Sequence, residues 1–374
     1  MANVLRVNRD LGPTAAAGVF GSTRSLPSGR NSVTGIDGRL RFGAWSASAQ
    51  AAGSFSRTPQ APDRSGFATR ATLLRTGRAF NYSGEYSERS SDFESVLGYI
   101  DRVDFRRTDH RASHRFFKEN STFIDWGPDL AVSVVRDRQG RALEHQARAS
   151  LMLEWSRQTQ VSFYRQDAAA RLRRSEFPLF DPLVEISPSY SQDGWGATFH
   201  STPINGIEVT LGASRLDGIN LVPAPGKAEG AARDASWNAQ IDLRPTARLG
   251  LVVSGIETRL DTPGGDAIFV NRILRTKAQF QFSRALSARV ILQYDALDAA
   301  PARTRLQSGR RFNADFLATF LPSPGTAIYA GFNNNAIDLD HALQSDRAGL
   351  AIPRGGFLSD GRQFFVKVSY LLRR

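Results

Sequence analysis

The chain has 374 residues, 41% hydrophobic and 10% aromatic, with a mean hydropathy of −0.32 and a formal charge of +12. This composition excludes a disordered chain, and no apolar run approaches the roughly 20 residues of a membrane-crossing helix. The 48 basic residues are scattered over nearly every segment and form no single run, which argues against a nucleic-acid partner.

Met1 to Val7 lacks the apolar core of a secretory signal. Taken with a membrane-barrel reading, the expectation is the C-terminal part of a longer exported protein; the alternative is that the membrane reading is wrong. The absence of cysteine fits an oxidising envelope compartment.

In chain order, residues 1–30 read as an entry segment with a first small-residue strand from Thr14 to Phe20, closed by Pro27-Ser28-Gly29. Gly38, Leu40, Phe42 and Ala44 then alternate with Asp37, Arg39, Arg41 and Gly43, with Trp45 at the far end. Such period-2 alternation marks a strand with one apolar and one polar face. Ser46 to Phe55 continues weakly, Pro59 to Ser65 reads as a polar loop, and Thr76-Gly77-Arg78 turns a short hairpin. Residues 89–125 are irregular and crowded with Arg and His.

Order returns where Ala147, Ala149, Leu151, Leu153 and Trp155 oppose Gln146, Arg148, Ser150 and Glu154. The stretch around Phe177-Pro178 and Asp181-Pro182 gives no clear pattern. Ile207 to Ala213 alternates, and Asp217 to Asp234 reads as a long Gly/Pro-rich loop. Trp237 to Leu243, Lys277 to Ser283, Leu286 to Asp295, Phe312 to Phe320 and Val366 to Leu372 all alternate, with Ile291 the apolar intruder on a polar face.

The connections carry more information than any one strand. Short turns at 156–158, 244–247, 284–286 and 322–325 alternate with longer loops at 217–234, 260–267, 297–310 and 335–361. Outer-membrane barrels place short turns at the periplasmic end and longer loops outside. The expectation is an all-β fold, an antiparallel transmembrane β-barrel of about 16 to 18 strands, forming one domain over residues 1–374 in the bacterial outer membrane.

Particular segments strengthen this. Asn8-Arg9-Asp10-Leu11-Gly12, Asn31 to Asp37, Phe93 to Gly98, Phe282 to Arg289 with Gln293-Tyr294, Pro324 to Tyr329 and Phe365 to Tyr370 resemble the C-terminal barrel domain of unknown function 5916. That family typically follows a secreted carbohydrate-binding module of the family 9 type. The resemblance implies a porin-like outer-membrane protein of a Gram-negative bacterium. Its expected partners are membrane lipid, an anionic or carbohydrate solute and a separate sugar-binding module. The chain departs from the usual aromatic-terminated last strand, carrying Leu372 followed by Arg373-Arg374.

The functional candidates are basic residues on the polar faces of strands: Arg39, Arg41, Arg148, Lys277, Arg289 and Lys367. They line a lumen that favours anions, or they brace it against inward carboxylates such as Asp37, Glu154, Glu208, Asp242, Asp295 and Asp315. Trp45, Trp155 and Tyr294 sit on apolar faces at or near strand ends, as membrane-interface aromatics do. His110 and His114 share a face, with Asp104, Asp109 and Glu119 nearby, but the charge density makes a metal site a chance reading. No nucleophile elbow, phosphate loop or dinucleotide fingerprint is present, so neither catalysis nor a cofactor is expected. The rival readings are a hydrolase using a carboxylate pair and a soluble β-rich binding protein.

Overall fold

In the computed structural model, residues 1–59, 61–118, 121–173, 189–338 and 357–371 are described. The readings at Glu119, Phe177-Pro178, Asp181-Pro182 and Leu372 to Arg374 lie outside them.

The described residues form strands and no helix. The strands are β1 (Ala2–Asp10), β2 (Ala15–Leu26), β3 (Gly29–Phe42), β4 (Trp45–Thr58), β5 (Ala61–Arg75), β6 (Phe80–Arg89), β7 (Phe105–His114), β8 (Phe116–Phe117), β9 (Phe123–Arg136) and β10 (Ala142–Trp155). They continue as β11 (Thr159–Ala170), β12 (Tyr190–Ser191), β13 (Gly194–Ile204), β14 (Ile207–Asn220), β15 (Gly230–Thr246), β16 (Leu249–Asp261) and β17 (Ala267–Gln281). The last four are β18 (Leu286–Ala299), β19 (Gly309–Ser323), β20 (Thr326–Asp338) and β21 (Leu358–Tyr370).

The expected 16 to 18 strands thus become 21 among the described residues, two of them the two-residue fragments β8 and β12. Part of the excess comes from the entry segment. Val4 and Leu5 break its alternation, so its register against β2, from Ala2 opposite Arg24 to Asp10 opposite Ala16, makes it a strand. Long-range pairing supplies what local pattern lacks.

The chain divides into two compact units. The first holds Met1–Met152 with the later part of β11 and β12, and the second holds Leu153–Phe163 and Gly194–Arg374. Within each, successive long strands pair antiparallel as a meander.

Register sorts the side chains into rows. In the first unit, Asp37, Gln50, Arg70, Ser87 and Arg107 share one row, and Arg39, Ser48, Thr72, Glu85, Asp109 and Ser133 the next on that face. The opposite face carries Leu40, Ala47, Leu73 and Val132. In the second unit, Thr210, Gln240, Ser254, Arg275, Gln293, Asn313 and Asn335 form a wholly polar row. Val209, Ile241, Val253, Leu292 and Ala314 belong to a row on the other face.

The apolar face is the exposed one. Ile36 is 61% exposed, Leu130 54%, Leu274 55% and Val368 66%. Along β10, half-buried Gln146, Arg148 and Ser150 alternate with exposed Ala147, Ala149 and Leu151. A one-sided sheet in water does the reverse, and an apolar surface this extended marks contact with a membrane or a partner.

Strand length explains where the sequence reading falls short. β5 begins at Ala61, so most of the expected Pro59 to Ser65 loop is strand. Likewise β14 runs to Asn220 and β15 starts at Gly230, cutting the expected 217–234 loop to 221–229. At these strand ends Pro62, Gly218 and Gly230 interrupt the alternation and read as turn residues. The irregular 89–125 region contains β7, whose Arg and His residues stand on both faces.

The sidedness of the connections holds in the second unit, with turns at 205–206, 247–248, 282–285 and 324–325 at one strand end and connections at 221–229, 262–266 and 300–308 at the other. Two of these longer connections clasp each other: Thr304 Oγ1 donates to the Val222 carbonyl at 2.6 Å, and Asn220 Nδ2 to that of Arg303 at 3.0 Å. In the first unit the loop end mixes the short 27–28 turn with the 90–104 and 137–141 connections. The 156–158 turn is tight enough to put both Arg157 (φ 61°) and Gln158 (φ 54°) in the left-handed region. That is the geometry of a type I′ hairpin turn, usually Asn-Gly. Here Arg157 holds it by donating to the Pro203 carbonyl at 2.8 Å, while Gln158 accepts from Thr202 at 3.1 Å.

Candidate functional site

The polar face of the first unit is built by strands that bring like residues into ladders. Along β7, Arg107, Asp109 and Arg111 point to this face at two-residue steps, roughly 7 Å apart. With Arg70 of β5, Arg89 of β6 and Arg102 of the 90–104 connection, these arginines line a hollow of about 750 Å³.

Each guanidinium has a carboxylate. Arg70 pairs with Glu85 at 2.8 Å, Arg89 with Asp101 at 2.5 Å, Arg102 with Glu144 at 2.6 Å, Arg107 with Asp109 at 2.7 Å and Arg111 with Asp129 at 2.8 Å. Glu144 and Asp129 are not part of the lining. The hollow therefore meets five arginines and three carboxylates, an excess of two positive charges. Most of these pairs are partly open to solvent, where an ion pair adds only ~0–1 kcal/mol. With Glu144 and Asp129 counted the five pairs are neutral as a set, and what they place at the wall of the concave site is a row of guanidinium donors.

A second hollow of about 510 Å³ shares Arg70 and Thr72 with the first and is lined also by Arg6, Asp10, Asp37 and Arg39. Arg6 Nη2 reaches both Asp37 oxygens at 2.9 Å, and Arg39 lies 3.7 Å from Asp10.

The 90–104 connection lies back across this face. Glu94 N–H donates to Ser54 Oγ at 3.1 Å, Val96 N–H to Asn31 Oδ1 at 3.1 Å, and Asn31 Nδ2 to the Glu94 carbonyl at 3.0 Å and Ser56 Oγ at 2.9 Å. Asn31 and Phe93 are buried. Gly66 is what allows the approach, because a Cβ there would run into the Phe93 backbone. At the far end, Arg173 Nη1 holds the Asp104 carbonyl at 3.0 Å and Arg102 holds Glu144.

Asp101 gives this docking a pH dependence. Arg89's hydrogen bond holds its carboxyl below the ordinary range, against a smaller upward push from burial. A depressed folded value means the contact contributes fully above the unfolded carboxylate value, ~3.9, and is lost as pH falls through the lower folded value. Asp101→Asn imitates the acid form at neutral pH. Deuterium exchange over residues 93–103 is expected to quicken several-fold in that variant; unchanged exchange would show that the Arg89 contact does not hold the segment.

Of the basic residues expected to form the site, Arg39 lines the second hollow. Arg41 stands on the same face of β3, opposite Ser46. Arg148 donates to Gln166 Oε1 at 2.6 Å and lies 4.2 Å over the Tyr164 ring. Lys277, Arg289 and Lys367 occupy polar-face positions of the second unit, in rows with Asp315, Leu317 and Tyr329 respectively. Among the inward carboxylates, Asp37 meets an arginine, whereas Asp242, Asp295 and Asp315 accept from Gln240, Gln293 and Asn333. Glu208 lies 3.9 Å from His200.

Trp45 stands at the turn end of β4 with Tyr82 6.0 Å away, and Trp155 at the turn end of β10. Tyr294 shares an apolar-face row with Leu211 and Leu274, next to the row holding Trp237, Glu257 and Arg272. His110 hydrogen-bonds Tyr82 at 2.8 Å and His114 packs on Phe116 at 4.5 Å, so both join aromatic clusters. No carboxylate, histidine or cysteine group suited to a metal occurs among the described residues.

Arg89, Arg102, Arg107 and Arg111 lie in the stretch where alternation fails, and Arg70 in the β5 strand that local pattern shows only in part, so the sequence does not single them out. It missed Asn31, Ser54 and Gly66 because what marks them is a contact with residues far along the chain.

No family model matches the chain, and no curated protein sequence does. Among solved structures it is similar to the siderophore receptor PirA from Pseudomonas aeruginosa, with 11% identity and a TM-score of 0.48 over 99% of this chain and 76% of that one. It is also similar to the ferric yersiniabactin uptake receptor FyuA from Yersinia pestis, at 10% identity and TM-score 0.43 over 98% and 69%. A third is the outer membrane protein OmpT of Vibrio cholerae, at 9% identity and TM-score 0.37 over 99% of each chain.

Proposed function

We propose that the chain is a β-barrel of the bacterial outer membrane that passes or docks anionic solutes along its arginine-lined polar face. The observation that carries this is the inverted sheet: an exposed apolar face backed by a polar face whose hollows hold paired arginines. Lipid satisfies the first and solute the second, and diffusion along a polar surface requires no bond-making. Acidic sugars are the favoured solutes, since carboxylate and phosphate groups meet guanidinium forks while hydroxyls meet the Ser, Thr, Asn and Gln rows. The resemblance to barrels that follow a family 9-type module adds a sugar-binding partner as the source of such solutes.

Detergent refolding followed by gel mobility with and without boiling, then planar-bilayer recording, tests the reading. A heat-modifiable band with anion-preferring conductance is the expected result. A chain that folds in plain buffer and never enters a bilayer would overturn it.

A further inference from the structure

The apolar face of the first unit has a charged corner that solute passage leaves unused. At the loop ends of β6, β7 and β9, Glu88, Arg106 and Arg136 stand side by side in one register row. Arg106 and Arg136 are direct cross-strand partners. Like charges so placed repel each other.

Arg138, in the 137–141 connection, adds a third cation. Arg106 Nε is 3.0 Å and Arg138 Nε 3.4 Å from the same Glu88 oxygen, and Tyr86 donates to the other oxygen at 2.6 Å. Two guanidiniums thus share one carboxylate while Arg136 stands one strand further along the same row, and the three arginines with Glu88 carry an excess of two positive charges. The connection that presents Arg138 is fixed by buried Asp137, which accepts from the Arg141 backbone N–H at 2.8 Å and from its Nε at 2.5 Å.

An apolar hollow adjoins the cluster. Arg138 lies 5.0 Å over the Phe67 ring. Phe67 in turn walls a hollow of about 460 Å³ with Val19, Ile36, Ala51, Gly53 and Thr69. Ala51, with only a methyl group, and Gly53, with no side chain, leave it open, and the register row through Ile36, Ala51 and Thr69 continues into Glu88, Arg106 and Arg136.

We propose that this corner binds one membrane lipid with an anionic phosphate headgroup, the phosphate among Arg106, Arg136 and Arg138 and an acyl chain in the hollow beside Phe67. The proposal rests on the membrane reading, which places this face against lipid. A free phosphate accounts for the arginines alone. A lipid accounts for the arginines and the hollow together, and an anion between Arg106 and Arg136 relieves their repulsion.

The test uses full-length protein refolded in dodecyl maltoside, titrated with dioleoyl phosphatidic acid, dioleoyl phosphatidylcholine or inorganic phosphate. Readouts are native mass spectrometry and the temperature at which the folded gel band is lost. Phosphatidic acid is expected to bind about tenfold more tightly than phosphatidylcholine and to raise that temperature, while inorganic phosphate does neither. Arg136→Gln, which leaves both Glu88 ion pairs intact, is expected to remove most of the preference, and Arg106→Gln/Arg138→Gln all of it. Ala51→Phe should weaken binding by filling the hollow.

Equal binding of the two lipids, a preference surviving Arg136→Gln, or an equal effect of inorganic phosphate would overturn the lipid site while leaving the barrel intact. A wild-type chain that gives no folded band in detergent overturns the membrane reading and this site with it.

Discussion

Replacing Arg70 and Arg107 together by glutamate is expected to turn an anion-preferring conductance into a cation-preferring one. The two arginines stand in one row with Ser87 between them, and both line the larger hollow. The double substitution moves the lining from an excess of two positive charges to an excess of two negative ones. At an effective dielectric of about 20, a unit charge 4 Å away contributes about 4 kcal/mol, and about 1 kcal/mol in bulk water. Even the lower figure gives about a fivefold change in ion preference per charge, enough to reverse the sign of the zero-current potential in a salt gradient. Glu85→Gln should shift the preference the other way, toward anions. Reversal potentials that do not move with either change would mean that the hollow is not on the conducting path. Raising the salt concentration should compress all of these differences.

Gly66→Val is expected to lift the 90–104 connection from the polar face without removing any of its hydrogen-bonding side chains. The branched side chain would occupy the space where the Phe93 backbone crosses. Overpacking of this kind costs typically 1–3 kcal/mol. Asn31→Ala acts on the same docking by a different route. It strips partners from the Val96 N–H and the Glu94 carbonyl, and a buried polar group left without a partner costs about 1–3 kcal/mol. Both variants should show a larger and noisier conductance, with faster deuterium exchange over residues 92–98. Protected amides and unchanged conductance in Gly66→Val would show that the connection is held elsewhere, with Arg102–Glu144 and Arg173–Asp104 as the remaining contacts. A separate destabilisation follows from Asp137→Asn. Burial pushes the Asp137 carboxyl up, but hydrogen bonds from the Arg141 guanidinium and backbone hold it below the ordinary range overall. Its stabilising contribution is therefore present above the unfolded carboxylate value and lost as pH falls through the lower folded one.

The sequence by itself determined which way side chains face. Where a strand has one apolar and one polar side, as from Ala147 to Trp155 or Leu286 to Tyr294, alternation fixes facing without reference to any neighbour. That is why Arg39, Arg148, Lys277, Arg289 and Lys367 were legible as polar-face residues, and Trp45, Trp155 and Tyr294 as apolar-face ones. It also determined that apolar residues recur at a strand's period and at no helix's.

The tertiary structure decided what those faces meet and where strands begin and end. Alternation is the same whether the apolar side is buried or exposed, so only the exposures of Ile36, Leu130 and Val368 set this sheet apart from a soluble one. Strand ends beyond the apolar rows, such as Ala61 to Ser65 and Gly230 to Asp234, carry no regular alternation and are recognisable only through their partners. The arginine hollow depends on register between β5, β6, β7 and β9, and the docked connection on Gly66 meeting Phe93. A glycine gives no sign in sequence of the backbone that will cross it. Pairing between strands distant in the chain is a cooperative property of the whole sheet, and a local pattern of period two carries no record of it.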